Sequence, residues 1–399
     1  MRVAKTLGLN NMDEAILVFN AGSSSLKFAL LACKDLALLY QGKIENIFEK
    51  PQFTAVNKVQ KQIINESIPL AGYESSLTHL FDWLSGLPVR FTLKAVGHRV
   101  VHGGVFFNGP CLINTETLKK ISSLIPLAPL HQPLNILAIE SIQKMYPSLP
   151  QVACFDTAFH QTQDFLAKLF AIPQELSTEG IIRYGFHGIS YEYIASVLPE
   201  YLTHKDQNKV IVAHLGNGAS LCAMNNGKSR ATSMGFTTLD GLMMGTRCGT
   251  IDPGIILYLI QEKKFSVKQV SELLYQESGL LGVSGISSNM HELQSSKEPH
   301  AIEAVDLFCY RAACELSSLI VILNGCDAIV FTAGIGEHSA VVRKKICAYL
   351  EWLGLVLDDG ANRRHARIIS ANQSAIKVCI IPTNEEYMIA QHTMSIIQE

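Results

Sequence analysis

Four short strings set basic side chains among glycines and prolines. They are GHRVVHGG at 97–104 with His98, Arg99 and His102, PLAPLHQP at 126–133 with His131, RYGFHG at 183–188 with Arg183 and His187, and MGTRCGTIDPG at 244–254 with Arg247. Glycine and proline fix the backbone and so the direction of the cation, and a guanidinium presents a planar fork of N–H donors that matches a carboxylate or a phosphate. Together these residues suit clamping an anion; any one taken alone reads more readily as half of a structural ion pair. Two acids complete the group: Asp156 in FDTAFH closes an apolar run, and Glu385 in TNEE follows the run KVCIIP. Carboxylates at strand ends can hold a hard divalent cation directly or through water, and singly they read as turn or cap acids.

Three turns add a second kind of chemistry. NAGSSSLKF at 20–28 gathers Ser23, Ser24 and Ser25 with Lys27 close behind, HLGNGAS spans 214–220, and GIGEHS spans 334–339. Backbone N–H groups exposed in such turns bind phosphate without side-chain charge, and glycine lets the backbone approach it closely. A plain serine-rich turn is the alternative for the first. None is a P-loop, since GxxxxGK[ST] is absent, and GIGEHS has serine where a dinucleotide fingerprint needs its third glycine or alanine. His98 and His102 sit four apart and would share one strand face, but no cysteine or acid stands at zinc-ligand spacing, so a histidine metal centre is not expected.

The elements that must position these residues are visible in outline. An apolar strand, a small-residue turn and a second strand occur at 16–31 and again at 210–224, half a chain apart, which suggests two related domains each opening on a β-hairpin. Elsewhere strand-like runs (94–104, 151–159, 328–332, 377–382) alternate with helical ones such as the amphipathic 115–125, an α/β pattern. The segment 57–77 has no sharp period and reads as a surface excursion. A chain of 399 residues with 48% hydrophobic composition fills two cores, with a boundary placed near residue 160. Lysine and arginine number 33 against 35 acids, so no broad positive field is available for a nucleic-acid partner. No apolar run reaches the roughly 20 residues of a membrane span, and the N-terminal residues lack a signal peptide's apolar stretch. Ten scattered cysteines without a CxxC pair read as reduced core thiols in a cytoplasmic protein.

Taken in order, NAGSSSLKF, GHRVVHGG, FDTAFH, RYGFHG, HLGNGAS, MGTRCG with DPG, GIGEH and TNEE resemble the motifs of the acetate kinases, over about residues 16 to 392. That family belongs to the actin, hexokinase and sugar-kinase superfamily. The resemblance implies an α/β fold of duplicated ribonuclease-H-like (actin-like ATPase) domains with a nucleotide cleft between them. The domains would be 14–160, with 386–399 packing back on it, and a nucleotide-binding 161–385. It also implies a homodimer that moves the terminal phosphoryl group of ATP onto acetate, giving acetyl phosphate and ADP, with Mg2+ (or Mn2+) as cofactor.

Carried over by motif, Asn20 and Glu385 would help bind the metal, Arg99 and Arg247 would grip the carboxylate and the travelling phosphoryl group, and His187 would bond its oxygens with His131 nearby. Asp156 would be the active-site acid. Lys27, Ser23, Ser25, His214, Leu215, Gly216, Asn217, Gly218, Asn289, Met290, His291, Gly334, Ile335, Gly336, Glu337 and His338 would line the nucleotide, and the acetate methyl would rest on Val101, Leu130 and Phe186. Acetate is already ionised at pH 7 and needs no general base, so Asp156 is expected to organise metal or water rather than to accept a proton. In the family's pattern Asn289-Met290-His291 commonly has an aspartate and an arginine, Thr250 an aspartate, Ile189 a threonine and Thr238 a proline. The first change bears on nucleotide preference and the last on acyl selectivity. A propionate or butyrate kinase is the near alternative. An actin-like switch without acyl chemistry is the distant one, since it would not need Arg99, His187 and Arg247 together.

Overall fold

The computed structural model describes residues 13–22, 25–57, 61–87 and 91–398. The chain divides into two compact units, one comprising the residues up to Ala158 together with those from Glu385 on, the other Phe159–Asn384.

The first unit is built on an eight-stranded sheet. Its strands are β1 (Asp13–Ala21), β2 (Ser25–Ala32), β3 (Leu38–Glu45), β4 (Gln52–Asn57), β5 (Gln62–Ser67), β6 (Phe91–Val100), β7 (Cys111–Leu112) and β8 (Gln151–Phe155), in the order β5-β4-β3-β2-β1-β6-β8-β7. β1 pairs antiparallel with β2 but parallel with β6, and β6 pairs parallel with β8. Helices cover both faces, so the central strands are apolar at nearly every position rather than alternating: Ala15 to Phe19 in β1 are all buried. On one face Leu17, Phe19, Leu26, Phe28 and Phe53 pack with Leu77 and Leu80 of the helix Tyr73–Ser85.

The second unit repeats the plan with fewer strands: β9 (Lys209–Leu215), β10 (Ala219–Asn225), β11 (Lys228–Thr232), β12 (Ala328–Thr332) and β13 (Lys377–Ile380), in the order β11-β10-β9-β12-β13. An antiparallel hairpin again leads into two parallel strands. β3-β2-β1-β6-β8 and β11-β10-β9-β12-β13 are thus the same path walked twice, and the expected duplication of actin-like domains holds at the level of topology. In each unit the three parallel strands end at one edge, so the residues that follow them gather there. In open α/β sheets that edge is where ligands bind.

Three expectations change. The segment 57–77 is no excursion, because it contains β5 and the start of a helix that buries Ile68, Tyr73 and Leu77. β5 is a mostly exposed edge strand with no apolar alternation, and the helix's Tyr73-Leu77-Leu80-Leu84 spacing becomes legible only beyond residue 77. GIGEHS is not a turn before a helix, since Ala333–His338 is itself helical, entered through Ala333 at φ 63° and broken at Ser339, which caps the next helix Ala340–Ala348. Of the cysteines, Cys314 is exposed on the long helix Pro299–Leu323 rather than in a core.

Two buried histidines make the fold sensitive to acid. His98 donates from Nε2 to Gln151 Oε1 at 2.7 Å, and His160 donates from Nε2 to the Phe186 carbonyl at 2.9 Å while its Nδ1 accepts from Ser229 Oγ at 2.9 Å. Burial lowers each to about 4. The unfolded chain, with ordinary histidines near 6.5, therefore binds protons that the fold refuses. Their contribution is complete above pH 6.5 and is lost as pH falls towards 4, on the order of 3 kcal/mol for each. Urea unfolding midpoints measured from pH 7.5 to 4 should fall most steeply in that window, and His98→Gln should flatten the fall.

Candidate active site

In the first unit, strand register does the assembling. Asn20, near the end of β1, lies beside Arg99 on β6 and opposite Lys27 on β2, while Asp156 follows β8 directly. Arg99 donates from Nε to Asp156 Oδ1 at 2.9 Å and from Nη2 to Asp156 Oδ2 at 2.5 Å, a bidentate pair, and from Nη1 to Asn20 Oδ1 at 3.1 Å. Glu385 Oε2 stands 4.0 Å from Arg99 Nε.

Glu385 reaches this place because its helix, Glu385–Gln398, crosses β6 at Gly97. A Cβ there would lie 2.4 Å from Thr393 Oγ1 and 2.6 Å from Ile389 Cγ2. One helical turn from Ile389 back to Glu385 covers roughly 6 Å, and two strand residues from Gly97 to Arg99 cover about the same.

The charges of this group are unbalanced. Burial would depress Arg99, but Asp156 and then Glu385 outweigh it and hold the guanidinium above its ordinary range. Burial raises the Glu385 carboxyl, Arg99 pulls it down, and Asp156 and Glu386 push it up again, to about 7. The amide side chains of helix Gln132–Met145 fix the chain just past the strand ends: Asn135 accepts from Val101 N at 3.1 Å and donates to the Ala21 carbonyl at 3.3 Å, and Gln132 accepts from His102 N at 3.2 Å. His131 stands at that helix's N-terminus, Val101 is buried and Leu130 is exposed. Ser25 receives the Gly22 N–H on its carbonyl at 2.7 Å, and Ser23 lies outside the described residues. Lys27 opens onto a hollow of ≈ 460 Å³ shared with Glu386, Gln41 and Lys43.

The second unit carries the remaining residues. His187, at φ 57°, heads the helix Gly188–Tyr201. Its ring stacks on His214 with centroids 4.3 Å apart and 16° between planes, and its Nδ1 meets Ser220 Oγ at 2.8 Å. Non-glycine residues hold positive φ at a cost that surrounding contacts must offset. Arg247 donates to the Thr238 carbonyl at 3.1 Å. The residue expected to alter acyl choice thus also holds Arg247, through its backbone. The loop of Arg247 packs on Gly279, at φ 62°, where a Cβ would sit 2.2 Å from the Met244 carbonyl. Arg183 is paired with Asp240 at 2.9 Å and lies over the Phe170 ring, the structural alternative raised for any single cation.

Gly216, Asn217, Asn289, Met290, His291, Gly334, Ile335 and His338 come together around a cleft of ≈ 580 Å³, joined by Ser288, Gln294 and Ser339. The other expected liners in this unit are placed as follows. The Leu215 side chain is fully buried, His214 bonds Ser190 at 2.8 Å, Glu337 accepts from Thr383 N at 3.2 Å, and Gly218 and Gly336 face His187 Nε2 and the backbone of β9 and β12. Phe186, expected against the acetate methyl, is also fully buried and offers its carbonyl to His160. Asn289 caps the helix Met290–Ser295 by accepting from His291 N at 2.9 Å, which an aspartate would do equally. A larger cavity of ≈ 760 Å³ elsewhere in this unit is walled mainly by apolar side chains, and its cation Arg311 is engaged by the Thr250 carbonyl, so size does not make it the reacting centre.

One contributor escaped the sequence. Arg343 is fully buried and donates to the carbonyls of Gly336 at 2.8 Å, Glu337 at 2.9 Å and Asn362 at 2.9 Å, pinning the end of the helix beside the cleft. Burial lowers it to about 10. In VVRKKI it reads as one more solvated charge.

The model of the acetokinase family matches residues 15–391. The chain belongs to that family. It is 48% identical over 389 residues to the acetate kinase of Rhodopseudomonas palustris, covering 96% of this chain and 98% of that protein. Among solved structures, a propionate kinase from Francisella tularensis superposes with TM-score 0.89 at 41% identity, covering 95% and 98% of the two chains. The acetate kinase of Porphyromonas gingivalis superposes with TM-score 0.87 at 34% identity, covering 96% and 100%. As a member of the acetokinase family the chain is a kinase with ATP and ADP as co-substrates.

Within this family member the Gly97 crossing is testable. Gly97→Ala should cost about 1–3 kcal/mol by overpacking. It should also lower turnover, because the helix that yields is the one carrying Glu385. Urea unfolding together with kcat checks both.

Proposed function

We propose that the chain transfers the γ-phosphoryl group of ATP reversibly and directly to acetate, giving acetyl phosphate and ADP. The observation that carries the reading is family membership over nearly the whole chain, combined with two arginines, Arg99 and Arg247, each held by its own unit at a strand-end or loop position. In phosphoryl transfer charge spreads over the peripheral oxygens and positioned cations supply most of the acceleration. Arg99 and Arg247 take that role, and His187 donates a hydrogen bond to the travelling group with His131 close to it. Val101 and Leu130 bound the acyl group. Asp156, which spends both oxygens on Arg99, orients that guanidinium and does not act as a base. The cleft at Gly216, Asn289 and Gly334 receives the nucleotide, its volume lying within the roughly 300–1,000 Å³ of small-molecule sites.

Mg2+, or Mn2+, fits the first unit's donor set. Asn20 Oδ1 and the carboxylates of Asp156 and Glu385 are hard oxygens converging on one guanidinium, and Glu385, raised first by burial and then by Asp156 and Glu386, would gain a counter-charge from a cation. Asn20 and Glu385 would hold the ion, which would neutralise phosphate charge. The expected domain division places Asn20, Arg99 and Asp156 in 14–160 and Glu385 at the end of 161–385, directly before the segment 386–399 that packs back on the first domain. We further place the protein in the cytoplasm as a homodimer. Support for the dimer comes from the helix Pro253–Gln261, where Ile255, Leu257, Tyr258 and Ile260 are exposed and no residue is buried, an apolar face suited to a second copy.

Propionate is the second acceptor to weigh, because the Francisella tularensis propionate kinase is so similar in structure. One methylene changes discrimination by only about 1 to 3 kcal/mol. Purified protein with ATP, Mg2+ and acetate should give a hydroxamate-trappable product, and none with any short acid would reject the reading. Relative kcat/KM for acetate, propionate and butyrate then ranks the acceptors. Arg99→Ala and Arg247→Ala should each lower kcat/KM at least about a hundredfold; near-normal activity in either would remove that residue from the site.

A further inference from the structure

The hydrogen bonds behind His187 determine where its proton resides. His187 Nδ1 lies 2.8 Å from Ser220 Oγ, and the Tyr191 hydroxyl lies 2.5 Å from the same oxygen. Tyr191 and Ser220 are fully buried, and this is the hydroxyl's hydrogen bond among the described contacts. Three proton orders satisfy the pair of contacts. In the first, Tyr191 donates to Ser220, Ser220 donates to His187 Nδ1, and the imidazole keeps its proton on Nε2. In the second, His187 donates from Nδ1, Ser220 donates to the Tyr191 oxygen, and the Tyr191 proton is left in the core with no acceptor among the described contacts. In the third, His187 and Tyr191 both donate to Ser220 Oγ, and it is the Ser220 proton that is left without one. An orphaned buried donor biases an equilibrium by roughly tenfold or more. The first order is therefore the stable one.

We propose that Tyr191 and Ser220 are positioning residues that hold His187 in its Nε2–H tautomer, so that the neutral imidazole works as a hydrogen-bond donor. The proposal rests on the reading that His187 meets the transferring phosphoryl group, whose oxygens accept and never donate when ionised. Two other contacts serve the same end. The His214 ring stacked at 4.3 Å fixes the plane of the imidazole, and Ser190 holds His214 in turn at 2.8 Å. Nε2 faces Gly218, where a Cβ would come within 3.3 Å of it.

The chain Tyr191–Ser220–His187 thus parallels the way an orienting group fixes a histidine tautomer in other catalytic sites, but with neutral hydroxyls in place of a carboxylate. A carboxylate would stabilise the imidazolium. Two hydroxyls ordered in this direction select the neutral form, because a protonated His187 would need Ser220 to accept from Nδ1 and would leave either the Tyr191 or the Ser220 proton without an acceptor.

The test is a long-range proton–nitrogen correlation spectrum of protein labelled with 15N-histidine, with His187→Asn used for assignment. Wild type should show His187 protonated on Nε2, and Tyr191→Phe, which keeps the ring but releases Ser220, should show a mixture of tautomers. In the same variant kcat should fall roughly 3- to 10-fold with KM for ATP and acetate nearly unchanged, as expected when an interaction realised in the transition state is weakened. Ser220→Ala should behave likewise, and Ser220→Thr, which retains the hydroxyl, should restore both the tautomer and kcat. An Nδ1–H signal in wild type, or an unaltered tautomer in both Tyr191→Phe and Ser220→Ala, overturns the proposal. Because the tautomer is read without turnover, wild-type activity in His187→Asn would reject the catalytic reading of His187 while the spectrum still judged the relay.

Discussion

The bidentate pair between Arg99 and Asp156 is the contact around which the first unit's candidate site is arranged. A guanidinium able to meet an anionic substrate must be held without being neutralised beyond use, and it must be held at low cost in a partly desolvated place. Asp156 supplies the first requirement through both carboxylate oxygens, leaving Nη1 for Asn20 and the approach of Glu385 at 4.0 Å. Such a pair contributes little net stability once desolvation is counted, so its value lies in direction rather than strength. Removing either partner would strand the other in a buried site.

Everything that delivers these groups is backbone geometry. Parallel pairing of β1, β6 and β8 makes three strand ends coincide, and the hairpin returns Lys27 to the same edge. The crossing at Gly97 sets the phase of the last helix so that Glu385 arrives beside Arg99. Burial first, with Asp156 and Glu386 adding to it against the pull of Arg99, raises the Glu385 carboxyl there.

The second unit solves a different problem with the same sheet. Its site residues are mostly uncharged or are cations bonded to carbonyls: Arg247 to Thr238, and Arg343 to Gly336 and Glu337. Carbonyl partners orient a guanidinium through its N–H groups, and those of Arg343 fix the end of the helix beside the cleft. The histidine pair is ordered in its own way, His187 meeting the Ser220 hydroxyl and stacking on the His214 ring.

From the sequence alone the class of chemistry, the duplicated hairpins and most of the charged and glycine-bearing positions were legible, because strand patterning, small residues around cations and turn composition are local properties. Asn20, Arg99, Asp156 and Glu385 could be named, but not that they meet. Their separation along the chain is closed by strand register and by one helix crossing, which no local pattern encodes. The same limit explains the exceptions. Leu215 and Phe186 carry family motifs yet bury their side chains, Arg343 reads as a solvated charge yet sits in the core, and Ala333–His338 reads as a glycine turn yet is a helix. Burial and the direction of a side chain depend on what packs from elsewhere, so only the tertiary structure decided which recognisable residues face a site and which hold it in place.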